Sequence, residues 1–383
     1  MTDGLGLEDV YGATIDRIKA QGGYQCQLGM GALMWICYAE VPLTPVELCN
    51  ALAIELGSTD FNAGNIPPIT TVVSCCQGLI TVDKKASTVR LIHFTLKEYL
   101  SARPDIFSGP HSAMAEICLT YLNSQHVKAI SDPSTFAPFS FIDPSTTCYN
   151  KPFVKYCSLY WGVHAKRELS DRTMSLALEL FQEYDNHISR KLLGEAEACV
   201  KDYGCYGHFE CGPLHCASMF GIVKLLAVLI EMGSYDINGG DAYKLTPLAW
   251  AARCGHDQIA QMLIELQVVD PNKPDIFGLT PLSQASMAGH EGIVKILLGL
   301  NDVDPNQPDF RGQAPLSHAA KGGHEEVVRI LLGRSDINPN LPDRDDNTPL
   351  SYAAGNGHEG VVRILLGRTE VGPDKPDNKD RTF

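Results

Sequence analysis

Residues 278–299 read GLTPLSQASMAGHEGIVKILLG, and most of this stretch recurs along the second half of the chain. The phrase Thr-Pro-Leu appears at 246–248, 280–282 and 348–350, with Ala-Pro-Leu at 314–316 and a weaker Gly-Pro-Leu at 212–214. Gly-His pairs begin at 255, 289, 323 and 357 in the same register. Several phrases that share one period of 34 residues indicate an internal structural repeat.

Each repeat has the signals of two short helices. Thr280 is suited to the N-cap, where its side-chain oxygen accepts from an unpaired backbone N–H, and Pro281 suits the first helical position because it has no N–H. Gly289 ends the first helix. Apolar residues from Ile293 to Leu297 recur at helical spacing and predict one buried face on a second helix.

A turn rich in Asp, Pro and Asn joins successive units. The phrase Asp-Pro-Asn-x-Pro-Asp occupies 270–275 and 304–309, and it degrades at 338–343 and 372–377. Such residues predict a tight, projecting turn, here called a finger. Because one helix pair cannot bury its apolar face alone, the units must stack into a solenoid.

These features resemble the ankyrin repeat over residues 210–383. We count five units, beginning near residues 210, 244, 278, 312 and 346. The resemblance implies antiparallel helix pairs in a curved stack with a concave binding face. Thr382 stands at the cap position of a sixth unit, and no polar terminal helix follows, so we expect a truncated product or a fragment.

Composition points to a soluble protein of a reducing compartment. The chain has 31 Lys and Arg against 45 Asp and Glu, a formal charge of -14, which disfavours nucleic acid and anionic lipid as partners. The sequence has no signal peptide and no apolar run of spanning length. Thirteen cysteines are an odd number, and Cys75 adjoins Cys76, so we expect free thiols and a cytoplasmic location.

The first half predicts a helical lead at 1–28, a winged-helix-like α+β domain at 29–105 and a helical connector at 106–209. The expected elements of the winged helix are three helices, a hairpin and a last capped helix: Ala32–Tyr38, Thr44–Leu56, Ile69–Gln77, strands Leu79–Val82 and Val89–Phe94, and a helix capped at Thr95. A winged helix could bind DNA, but no Lys or Arg lies between Lys19 and Lys84, which disfavours that function. The fold class is therefore mainly α, with an ankyrin solenoid at the end.

A second resemblance covers the first half. The stretches LEDVY (7–11), WICYAE (35–40), HFTLKEYL (93–100) and YCSLYWGVHA (156–165) are similar to the segment downstream of the ATPase core in fungal NACHT–ankyrin proteins, which are NOD-like receptors of the STAND class. That core is absent, because the chain contains no Gly-x-x-x-x-Gly-Lys-Ser/Thr phosphate loop. The resemblance thus implies a sensing and regulatory role without nucleotide hydrolysis, and an upstream NACHT core as a possible partner.

The candidate chemical sites are weak. A cysteine–histidine cluster lies at Cys199, Cys205, His208, Cys211, His215 and Cys216. It lacks the close Cys pairs of zinc sites, so thiols at a domain joint are favoured over zinc. The repeated Gly-His histidines are expected to bond backbone at the turn between helices. The 343–347 stretch resembles a calcium loop but lacks its glycine and its last acid, which favours a finger turn. We expect no catalytic residue, cofactor or metal.

Positions that differ among near-identical units indicate where a partner could bind. Two residues after each Leu of the cap phrase stand Cys216, Trp250, Gln284, His318 and Tyr352, and the finger residues vary likewise. Aromatic, Arg and amide groups are typical of protein interfaces. The alternative is that exposed positions simply drift. The predicted protein-binding residues, on the concave face and fingers, are Tyr243, Trp250, Phe277, Gln284, Phe310, Arg311, His318, Arg344 and Tyr352.

The sequence therefore predicts a non-enzymatic protein-binding protein, the sensing part of a cytosolic NOD-like receptor in self/non-self or immune signalling. A free-standing ankyrin scaffold or adaptor is one alternative. A hydrolase with an unrecognised site is another.

Overall fold

The computed structural model describes residues 6–131, 152–197 and 211–371. The chain divides into two compact units, Met1–Gly207 and His208–Phe383. Both are mainly helical, as the sequence predicts. Among the described residues, none of the helices is both long and apolar enough to span a bilayer. No disulfide bond joins any of the ten cysteines in these segments.

The first unit contains ten helices and one hairpin within its described residues. The helices are α1 (Leu7–Ala20), α2 (Gly23–Tyr38), α3 (Pro45–Leu52), α4 (Ile69–Cys75), α5 (Phe94–Ser101), α6 (Pro110–Asn123), α7 (Gln125–Ser131), α8 (Pro152–Arg167), α9 (Asp171–Gln182) and α10 (Ile188–Glu197). The strands are β1 (Ile80–Asp83) and β2 (Thr88–Leu91), which pair antiparallel with Ile80 opposite Leu91.

The predicted capping box at the start of α3 is confirmed. Thr44 accepts from the backbone N–H of Glu47, and the Glu47 carboxylate accepts in return from the N–H of Thr44 at 2.7 Å. The cap predicted at Thr95 is wrong, because α5 begins at Phe94 and is capped by His93. The Nδ1 atom of His93 accepts a hydrogen bond from the backbone N–H of Thr95 at 3.3 Å. This bond takes the place of the one expected from a threonine hydroxyl.

Aromatic side chains form the core between the winged-helix elements and α6 and α8. The ring of Trp35 on α2 meets Phe153 and Tyr156 of α8 edge to face, at centroid distances of 5.9 and 5.7 Å. Tyr121 of α6 packs on Phe153 at 4.9 Å. Edge-to-face contacts of large rings are a favourable way to fill a core, and they fix how α2, α6 and α8 lie together.

The second unit is a stack of helix pairs at the predicted period. Its helices are α11 (Pro213–Phe220), α12 (Val223–Glu231), α13 (Pro247–Cys254), α14 (Asp257–Glu265), α15 (Pro281–Ala288), α16 (Glu291–Leu298), α17 (Pro315–Gly322), α18 (Glu325–Leu332), α19 (Pro349–Gly355) and α20 (Glu359–Leu366). Thr246, Thr280 and Thr348 cap their helices through the side-chain oxygen, as predicted. Ala314 leaves α17 without a side-chain cap.

The Gly-His histidines bond backbone, as predicted, but the acceptor lies in the preceding unit. The Nε2 atom of His256 lies 2.9 Å from the carbonyl oxygen of Met219, and His290 makes the same contact with Arg253 O at 3.1 Å. His324 and His358 repeat it at 3.0 Å. Each histidine thus binds a backbone carbonyl near the C-terminal end of the first helix of the preceding unit. The last carbonyl groups of a helix have no N–H partner within that helix.

Candidate functional site

The fingers between helix pairs are tight turns built on four buried aspartates, 34 residues apart: Asp241, Asp275, Asp309 and Asp343. In each finger one carboxylate oxygen accepts from two backbone N–H groups, two and four residues later. For Asp275 these are Phe277 at 2.8 Å and Leu279 at 2.9 Å. Asp343 holds its turn in the same way, so the 343–347 stretch is a finger turn as predicted. The aspartate therefore shapes the finger from inside.

Neighbouring fingers are joined by backbone hydrogen bonds. Ile276 N donates to Tyr243 O at 2.9 Å, Phe310 N to Phe277 O at 2.8 Å, and Arg344 N to Arg311 O at 2.9 Å. Asparagine side chains below the fingers add a second link: Asn272 Nδ2 donates to Asp302 O at 2.7 Å, a span of 30 residues. The fingers form one continuous ladder, which holds their tips at a fixed spacing.

The second carboxylate oxygen of each aspartate explains the variable residue of the first helix. Trp250 Nε1 donates to Asp241 at 2.9 Å and Gln284 Nε2 to Asp275 at 2.8 Å. His318 Nε2 lies 3.2 Å from Asp309 Oδ2. Each pair spans nine residues, and Tyr352 makes the equivalent contact with Asp343. An ionised oxygen inside a protein needs such a donor.

The exposure predicted at several of these positions is therefore wrong. Tyr243, Trp250, Gln284 and His318 are buried, and Tyr352 is half-buried. Their side chains differ because an indole, an amide, an imidazole and a phenol can all donate a hydrogen bond to the buried carboxylate. An aspartate stands nine residues before four of the five variable positions, all except Cys216, and this spacing in the sequence would have indicated the role.

The remaining predicted residues lie at the fingertips. Phe310 is 60% exposed, and both Arg311 and Arg344 are exposed on the same and the next finger. Phe277 is half-buried, and its ring stacks on Tyr243 with centroids 6.3 Å apart. The surface formed by Phe310, Arg311 and Arg344 is called the fingertip patch below.

The carboxyl pKa is shifted in opposite directions in different fingers. Burial raises the pKa of Asp241 and of Asp275, against the opposing effect of the N–H donors. Burial acts in the same direction at Asp343, but the hydrogen bonds from Tyr352 and from backbone N–H groups outweigh it, so the pKa of Asp343 is lowered. Donors and burial thus balance differently in different fingers.

The cysteine–histidine cluster lies only in part within the described residues. Cys199, Cys205 and His208 fall outside them. Cys211 and Cys216 are buried with their sulfur atoms 3.7 Å apart, and His215 contacts Gly239 O and Gly212 N through its two ring nitrogens. Both nitrogens of this histidine are thus engaged with backbone, as structural histidines are.

Comparison with known families gives two matches. A three-copy model of ankyrin repeats matches residues 177–275, 214–309, 264–343 and 282–379, which together span more than half of the chain. The winged-helix domain of GPI inositol-deacylase matches residues 19–108. That model is a winged-helix domain only, so the enzyme's name brings no activity to this chain. No curated protein matches the sequence.

Proposed function

Because this chain belongs to the ankyrin-repeat family, we propose that it is a non-enzymatic protein-binding module that holds a protein ligand at the fingertip patch. The observation that carries the proposal is the contrast within each finger. The interior repeats the same aspartate turn in all four fingers, whereas the tip residues differ between fingers and are exposed in the fingers of Asp309 and Asp343. A repeated frame with a variable surface is how such a fold supports binding without catalysis.

The chemistry of the patch suits a protein partner. Phe310 offers an exposed aromatic face, and Arg311 and Arg344 offer planar cations on adjacent fingers, linked by the bond from Arg344 N to Arg311 O. Aromatic residues and arginine are enriched among the residues that dominate binding energy at interfaces. The ladder holds these groups in place before binding, which lowers the entropic cost of association.

The test replaces the patch and compares it with a matched surface. We predict that Phe310→Ala/Arg311→Ala/Arg344→Ala reduces the capture of protein partners from host extract by about tenfold or more, as expected for loss of hot-spot residues. The control is Leu366→Ala/Arg329→Ala/Arg363→Ala, which removes one exposed apolar side chain and two exposed arginines from second helices. Equal capture by both variants, each with intact circular dichroism, would show that the patch is not the binding surface.

We further propose that the module is the sensing and regulatory part of a cytosolic NOD-like receptor. The resemblance of the first half to NACHT–ankyrin proteins supports this, together with a winged-helix domain and repeats in one chain. The proposed divisions are a lead (1–28), the winged helix (29–105), a connector (106–209) and five repeats (210–383). A ligand that binds the array more tightly in one arrangement would shift the receptor toward its signalling state.

The size of the native product tests the receptor role. An antibody against residues 111–200 is expected to detect a band far larger than the 41.8 kDa of this sequence, since the receptor includes an upstream ATPase core. A single band at 41.8 kDa would contradict the receptor role and favour a free-standing ankyrin adaptor. The fingertip test keeps its meaning under either result.

A further inference from the structure

Three elements of the first unit bring two histidines and a glutamate together. Glu40 follows α2, His111 lies in the first turn of α6, and His164 lies in the last turn of α8. The Nδ1 atoms of the two histidines are 2.9 Å apart, and His164 Nδ1 lies 4.0 Å from a carboxylate oxygen of Glu40. One ligand atom from each residue fits within a common span of 4.8 Å. No family motif accompanies them, and they are distant in sequence.

From this convergence we propose that Glu40, His111 and His164 bind one zinc ion. Two histidines and one carboxylate are an established zinc ligand set, and a fourth tetrahedral position remains for water. With Zn–N bonds of 2.0–2.1 Å, two nitrogen ligands of a tetrahedral ion lie about 3.3 Å apart. The histidine nitrogens would separate by a few tenths of an ångström to admit the ion.

The surroundings orient the ligands as a zinc site requires. His164 is fully buried, and its other nitrogen, Nε2, lies 3.0 Å from the hydroxyl of Tyr156. A hydrogen bond on the second nitrogen fixes the ring and leaves Nδ1 for the metal. Glu40 and His111 are half-buried, so an ion can enter from solvent on their side.

The nearby charges include one competitor for the glutamate. Arg167 forms an ion pair with both carboxylate oxygens of Glu40, and its side chain is 46% exposed. Glu168, beside it, accepts from Ser112 N at 3.1 Å, next to His111. The side chain of Arg167 is partly exposed, so it can turn toward water when the ion arrives.

The ion would tie the winged-helix part to α6 and α8. Glu40 belongs to the segment after α2, and the two histidines belong to α6 and α8, which both pack against α2. A metal that binds only the folded arrangement stabilises it by mass action. This role goes beyond ligand capture by the repeats, and it departs from the absence of metal expected from the sequence.

The experiment titrates the chelator-treated full chain with zinc chloride and measures the binding affinity by calorimetry. We expect one site whose affinity falls about tenfold or more in His111→Asn and in Glu40→Gln, because each removes a ligand. Arg167→Gln is expected to tighten binding, because it frees the carboxylate. Cobalt chloride should give a spectrum of nitrogen and oxygen ligation without thiolate charge-transfer bands. The matched control, Cys211→Ser/Cys216→Ser, should bind zinc as the wild type does.

Other outcomes overturn the proposal. Unchanged affinity in His111→Asn, loss of binding in the double cysteine variant, or thiolate bands with cobalt would each place the metal elsewhere. No zinc binding at all would mean that the two histidines are a hydrogen-bonded pair only. If a ligand variant fails to fold, the cobalt spectrum of the wild type and the response of Arg167→Gln still decide, because neither requires that variant.

Discussion

A buried carboxylate and one donor nine residues later are the smallest functional unit of each finger. The aspartate shapes the turn with one oxygen and takes a side-chain donor with the other, as Asp309 does with His318. Losing the donor would leave half of a buried carboxylate without a partner, which is costly in a site that water does not reach.

The array supplies its own control for this pair. We predict that His318→Leu lowers the free energy of unfolding by about 1–3 kcal/mol, because Asp309 loses its donor. His318→Gln should cost less than about 1 kcal/mol, because Gln284 already makes this bond at 2.8 Å in the preceding unit. Urea titration followed by circular dichroism measures both variants. Equal losses would contradict a role for the hydrogen bond and point to packing volume instead.

The threonine caps of the repeat helices could be predicted from the sequence, whereas the burial of the variable residues could not. Thr280 caps its helix because a cap depends on residues three positions away. The burial of Trp250 and Gln284 depends on a carboxylate that only the folded finger brings close. Variation at these positions would suggest exposure, but it reflects the fact that several side chains can donate the same hydrogen bond.

At the scale of the finger, one backbone position must adopt a left-handed conformation. It is occupied by Gly278 at φ +82° and by Gly312 at φ +86°, but by Lys244 at φ 60° and Asp346 at φ 61° in other fingers. A Cβ atom at Gly278 would lie 2.8 Å from a ring carbon and 2.9 Å from the backbone nitrogen of Phe310. That nitrogen donates to Phe277 O and is therefore held in place.

We predict opposite effects for two substitutions at this position. Gly278→Ala should lower the free energy of unfolding by more than about 1 kcal/mol, through the left-handed backbone and the clash with the next finger. Lys244→Gly should leave it unchanged or raise it by up to about 1 kcal/mol, because glycine removes the strain. Thermal unfolding of both variants measures the contrast. Destabilisation by Lys244→Gly as large as by Gly278→Ala would show that the turn is not strained.

The helices were predicted well where the period is strong and less well where glycine interrupts it. The repeat helices were expected from their caps and apolar spacing. In contrast, α2 was expected to begin at Ala32 but begins at Gly23. Gly29 lies inside this helix because a Cβ there would come within 2.7 Å of Ile18 and 2.9 Å of Cys75 O. The close packing at position 29 requires glycine, although glycine usually ends helices. Sequence spacing does not reveal this packing.

At the scale of the whole array, acid should act in opposite directions on different fingers. The pKa of Asp275 is raised above its ordinary 3.8, so the folded state takes up a proton first and gains relative stability as the pH falls toward 3.8. The pKa of Asp343 is lowered, so the stability it contributes is present above 3.8 and is lost as the pH falls through its folded value.

Two asparagine variants measure this contrast. As the pH falls from 6 toward about 4, we predict that the stability advantage of the wild type over Asp275→Asn grows. Below about 3.8, its advantage over Asp343→Asn should shrink. Each variant removes one carboxyl group from the same array, so the effects of acid on the rest of the protein are common to both and cancel when the two are compared. Urea midpoints across this range provide the measurement, and parallel trends in the two variants would contradict the assignment.

The finger ladder has a consequence for how such a chain can change its length. The hydrogen bonds between successive units go largely to backbone atoms, as with His290 and Arg253 O or Ile276 N and Tyr243 O, and every unit offers the same backbone. The side-chain match between an aspartate and its donor stays within nine residues. A gene segment that encodes 34 residues can therefore be duplicated, deleted or exchanged without breaking that match. The last two fingers are an exception, since Gln313 in the finger of Asp309 reaches Asp343 in the next finger across 30 residues at 3.3 Å, and recombination between these two fingers would separate two side chains that depend on each other.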